Sequence, residues 1–118
     1  MLLLLLACST PEPPPACARM CDAAAALYGG CLTDWGADWS AAGYADEAEF
    51  VGSCETWGWE MTLLQADAIK QGTWSDPSWV ADTCSARASA LSAEDAACTA
   101  YTDIEWNNVP WASEDTGG

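Results

Sequence analysis

From residue 15 onward, apolar and polar positions alternate with a period near 3.6, the mark of amphipathic helices. Cys17, Cys21, Ala24, Tyr28 and Cys31 step by three or four residues, so they share one helix face. Pro15 suits the first turn of this helix, and Gly29-Gly30 predict its stop, with Cys31 just past the end. A longer helix is predicted over 47–71. Asp46 is its N-cap and Glu49 completes a capping-box start. Phe50, Cys54, Trp57, Met61, Leu64 and Ala68 form its stripe, and Gly72 closes it. Gly58 lies inside and predicts a local bend. Asp76-Pro77 reads as cap and first turn of a third helix with Val80, Cys84, Ala88 and Leu91 inward. Ser92 with Asp95 repeats the capping signature and predicts a final helix carrying Cys98, Tyr101 and Ile104. No run of alternating β-branched or aromatic residues suggests a strand.

Composition alters this picture in one respect. Of the 118 residues, 51% are nominally hydrophobic, but 23 are alanine. Beyond position 8 only 11 are Leu, Ile, Val or Phe, too few for an ordinary core. Eight tryptophans and seven cysteines replace them. In this reading alanine allows close helix approach, while Trp, Tyr, Met and cystine fill the remaining volume. The expected fold is all-α, a small bundle of about four helices stapled by three disulfides. Cys17 and Cys21 lie one turn apart on the same face, so each requires a partner on another helix. Those partners are expected to be Cys84 and Cys98, in an order the spacing leaves open. Cys31 would then bond Cys54, closing a loop over residues 33–44. The Cys21-x9-Cys31 spacing is similar to twin-Cys helical hairpins, but Cys84 and Cys98 are too far apart to complete that signature.

The N-terminus carries the most specific motif. Met1 to Ala7 is an apolar run, too short to span a bilayer as a helix, which takes about 20 residues. It reads as the remnant of a signal peptide. Leu5-Leu6-Ala7-Cys8 resembles the lipobox of bacterial lipoproteins, a small residue preceding a cysteine. The resemblance implies that Cys8 is lipidated and becomes the mature N-terminus. With Cys8 so assigned, Cys17, Cys21, Cys31, Cys54, Cys84 and Cys98 remain for three bridges, as suits an oxidising compartment. Residues 8–15 hold the proline-rich run Pro11-Glu12-Pro13-Pro14-Pro15, expected to be a disordered, extended stalk. The helical domain is expected over 16–112 and a loose tail over 113–118, with Trp106 and Trp111 docking back on the bundle. In the lipoprotein family, Ser9 after the lipidated cysteine implies the outer membrane or cell surface.

Charge and missing residues narrow the function. With 18 acidic and 3 basic residues the net charge is −15, so no nucleic acid is expected as a partner. There is no histidine, which excludes Ser–His, Cys–His and His–metal chemistry. Neither a C-x-x-C pair nor an EF-hand spacing among Asp34, Asp38, Asp46, Glu47 and Glu49 supports a metal. Glu55 and Glu60 flank Trp57 and Trp59, but five residues apart on a helix they diverge, so no carboxylate hydrolase is expected. The expectation is a non-enzymatic, cofactor-free envelope lipoprotein, anchored in the membrane and serving as a structural or interaction module. The alternative is a glycan- or ligand-binding lipoprotein. Its site would be Asp34, Trp35, Asp38 and Trp39, a repeated Asp-Trp in which rings stack on a sugar and acids accept its hydroxyls.

Overall fold

A computed structural model describes residues 11–112, which form four α-helices and a closing 3₁₀ turn, with no strand among the described residues. The signal-peptide remnant, Cys8 and the 113–118 tail lie outside the described residues. Helix α1 spans Pro15–Asp34, α2 Glu47–Gln71, α3 Trp79–Leu91 and α4 Thr99–Thr102, with the 3₁₀ turn at Pro110–Ala112. No helix among the described residues is long and apolar enough to cross a membrane.

Helix α1 is the axis of the molecule. Every disulfide has one end on it: Cys17–Cys84 ties it to α3, Cys21–Cys54 to α2, and Cys31–Cys98 to the start of α4. Against α2 it runs antiparallel, because Tyr28 meets Phe50, Cys21 meets Cys54, and Cys17 meets Gly58 in turn. Against α3 it runs in the same direction, with Cys17 beside Cys84 and Ala23 sharing a hollow with Ala88. The largest fully enclosed side chains are Met20, Cys21, Val80 and Cys84, in one core with Ala16, Ala24 and Ala25. Small residues let the helices approach closely, as the alanine-rich composition requires. At Gly58 an added Cβ would lie 3.3 Å from that of Cys17. This glycine therefore serves a helix crossing, and α2 continues through it.

Several local expectations are corrected. Helix α1 runs through Gly29-Gly30 and stops at Gly36, whose φ of 74° permits a Schellman closure. Ala37 N–H donates to Leu32 O at 2.8 Å and Gly36 N–H to Thr33 O at 3.0 Å. Gly29 is small for packing: the Trp39 ring would stand 3.1 Å from a Cβ placed there. Because the helix continues, Cys31 remains on α1, about 15 Å along the axis from Cys21. The antiparallel crossing puts Cys54 opposite Cys21, so the expected Cys31–Cys54 bridge is out of reach and Cys31 bonds Cys98. Of the two partners expected for Cys17 and Cys21, Cys84 is found, on Cys17.

The stripe on α2 is corrected at one position. Leu64 is 46% exposed and Gln65 is buried in its place. Gln65 is needed there because α3 has no side-chain cap of its own. Its Oε1 accepts from Val80 N–H at 2.9 Å and its Nε2 donates to Pro77 O at 3.0 Å. Asp76 instead accepts from Ser78 N–H, holding an Asx turn two residues ahead of the helix. Ser92 starts no helix. Its hydroxyl donates to Ala88 O at 2.7 Å and ends α3, leaving α4 a single turn. The start of α2 is as predicted: Asp46 accepts from Glu49 N–H at 2.9 Å, and Glu49 reaches back to Ala45 N–H. Gly72 closes the helix with φ 85°.

Candidate functional site

The segment singled out by its Asp-Trp repeat divides between surface and core. Asp34 ends α1 and Trp35 follows it, 55% exposed. Asp38 faces solvent and accepts from Ala41 N–H at 2.9 Å, stabilising a turn that Tyr44 N–H closes on Trp39 O. Trp39 is half-buried. Its ring lies over Gly29, 4.9 Å from Phe50 and 5.7 Å from Tyr28 between centroids. The two tryptophans both pack around Tyr28, with Trp35 edge-on at 6.4 Å. Trp35 is thus the exposed ring of this pair, and Trp39 belongs to the bundle.

An aromatic concave feature lies beside this segment. A cleft of about 180 Å³ is lined by Tyr44, Phe50, Ser53, Cys54, Trp57, Tyr101 and Trp106. Phe50, Cys54 and Trp57 come from one face of α2, one turn apart, so their spacing alone places them together. Tyr44 arrives from the turn before the helix. Tyr101 is carried by α4, which Cys31–Cys98 holds against the C-terminal half of α1. Trp106 docks from the chain end: its carbonyl accepts from Trp57 Nε1–H at 2.8 Å, and the two rings meet edge-to-face at 5.3 Å. Tyr101 stacks on Tyr28 at 4.4 Å, so the cleft wall rests on α1. Trp111 likewise docks back, against Trp79 and Trp74.

Two titratable groups are perturbed here. Burial, and then like-charge repulsion from Tyr44 and Tyr28, holds the Tyr101 hydroxyl protonated to about 12. It is a hydrogen-bond donor at any physiological pH. Arg87 of α3 has its guanidinium 5.1 Å from the ring centres of both Trp57 and Trp106, a cation–π contact with each. Burial lowers its pKa, and its Nη1 is enclosed without a hydrogen-bond partner. The aromatic faces compensate part of that desolvation. The lining is mainly aromatic, and Ser53, Tyr44 and Tyr101 are its hydroxyl-bearing residues.

Sequence reasoning did not single out this cleft because its two halves are some fifty residues apart. Only the expected docking of Trp106 pointed toward it. Glu55 and Glu60 lie exposed on α2, and no three acidic or cysteine side chains gather as a metal set among the described residues. Compared with known proteins, the chain matches no family model, no curated protein and no solved structure.

Proposed function

We propose that this chain is a lipid-anchored extracytoplasmic protein of the cell envelope, whose helical domain is a non-catalytic structural or interaction module. The observation that carries the reading is the cysteine pairing. All six cysteines of the domain are joined with one another, so Cys8, directly after Leu5-Leu6-Ala7, is the one left over. Three disulfides also suit an oxidising compartment outside the cytoplasm. The high negative charge leaves zwitterionic lipid, protein or glycan as partners and disfavours nucleic acid. Metabolic labelling with a fatty acid tests the anchor: the wild-type chain takes the label and Cys8→Ser does not. Equal labelling of the two would overturn the reading.

A second reading, a glycan- or ligand-binding lipoprotein, is favoured by the aromatic cleft. Its platform would be the half-buried Trp106 and Tyr101, backed by the buried Trp57, rather than Trp35 with Trp39. Binding on a glycan array that survives Trp35→Ala and is lost with Tyr101→Ala would support this version. An array with no signal from the folded wild type would remove it.

A further inference from the structure

We infer that the outward face of α2, centred on Trp59 and Leu63, rests on a zwitterionic lipid bilayer and orients the anchored domain. The inference builds on the lipid-anchor reading and names the surface that reading leaves open. Trp59 is 42% exposed and Leu63 47%, and they stand one helical turn apart. Leu64, 46% exposed, lies on the flank. With Gly52, Glu55, Ala66 and Lys70, all exposed, they form a continuous stripe on the side of α2 away from its buried residues. Glu55 and Lys70 lie in the stripe, and Glu49, Glu60 and Asp67 line one side of it. Glu60 and Asp67 border it and would repel an anionic surface, so the lipid that fits is zwitterionic.

The tether selects the same face. Pro13, Pro14 and Pro15 share a hollow with Trp59 and Glu55, and Pro13 lies against Gly58. Pro13 follows Cys8 by five positions, at most about 18 Å of extended chain. An anchor at Cys8 therefore always holds Trp59 close to the headgroups. Trp35, at the far end of the 20-residue α1, stands about 30 Å from where that helix starts. Tryptophan is at home in the headgroup layer, with its ring among apolar segments and its N–H hydrated. Leu63 beside it would enter the acyl boundary.

The test uses the chain from Cys8 onward, its single free thiol coupled to a maleimide phospholipid in phosphatidylcholine vesicles. The same chain capped with a small maleimide serves as control. Hydroxyl-radical footprinting then reads oxidation residue by residue. Coupling should lower oxidation at Trp59 and Leu63 several-fold and leave Trp35 unchanged. Replacing a third of the lipid by phosphatidylserine should weaken that protection. Unchanged oxidation at Trp59, equal protection of Trp35, or stronger protection on anionic vesicles would each overturn the inference. So would concentration-dependent protection of Trp59 in the capped control, which would make a second copy the occupant. Because the lipid is attached chemically, the outcome is independent of natural acylation. Labelled Cys8 with unprotected Trp59 sinks the docking face alone; unlabelled Cys8 with protected Trp59 sinks the anchor alone.

Discussion

Gly29 and Gly30 sit side by side in the same helix and do different work. Nothing lies within 4 Å of a Cβ added at Gly30, so alanine there gains helix propensity without a collision. Gly30→Ala should raise stability by about 0.5–1 kcal/mol, read as a higher urea midpoint at unchanged slope. At Gly29 the same gain meets the Trp39 ring at 3.1 Å, so Gly29→Ala should bring less or turn destabilising. Tyr101 makes a pH prediction at the same scale. Its ordinary value is 10.0 and the folded environment raises it to about 12, chiefly by burial. The folded state thus keeps a proton that the unfolded chain releases. The contribution of this group is fully present below pH 10 and is lost as pH rises from about 10 to about 12. Urea midpoints measured between pH 9 and pH 12 should fall in that window, and the fall should be smaller in Tyr101→Phe.

Gln65 shows how one element completes another. Helix α3 has no side-chain cap of its own, and its Val80 N–H is satisfied only by an amide from α2, fifteen residues back. The same amide donates to Pro77 O, so a single buried side chain fixes both the start of α3 and its approach to α2. Gln65→Leu keeps the volume but leaves a buried donor and a carbonyl unpaired. It should destabilise the domain by about 1–3 kcal/mol. Amide exchange of Val80 and the first turn of α3 should accelerate more than that of α1. Uniform acceleration across the bundle would mean that the link is not local. Helix α2 shows the opposite case, a self-contained element: its cap at Asp46, its reciprocal Glu49 contact and its Gly72 closure all lie within its own sequence.

For the whole molecule the disulfides decide the order in which parts can be lost. Cys17–Cys84 and Cys21–Cys54 join the three long helices, whereas Cys31–Cys98 holds only the short α4 and the segment that brings Tyr101 and Trp106 to the cleft. Replacing Cys31 and Cys98 together by alanine should cost about 2–5 kcal/mol by the usual measure for a small disulfide-bonded domain. Its more particular signature is local: Tyr101 should return toward its ordinary titration range while the helical circular dichroism of α1 to α3 persists below the transition. Non-reducing peptide mapping checks the connectivity directly, and a Cys31–Cys54 peptide would contradict it.

The all-helical fold, the extent of α2, the number of bridges and the docking of Trp106 were legible in the residues, because each follows from local periodicity, capping chemistry or counting. Position 54 follows 50 by one turn whatever lies across from it. The stop of α1, the role of Ser92 and the burial of Gln65 were not legible. In each a local signal was overridden by a neighbour: Trp39 over Gly29, the C-terminal carbonyls of α3 at Ser92, and Val80 N–H at Gln65. The pairing of Cys21 and Cys31, and the cleft between residues 44–57 and 101–106, depend on which helices cross and in which direction. That crossing is an outcome of packing small alanine faces against one another, and no single segment of this chain contains it.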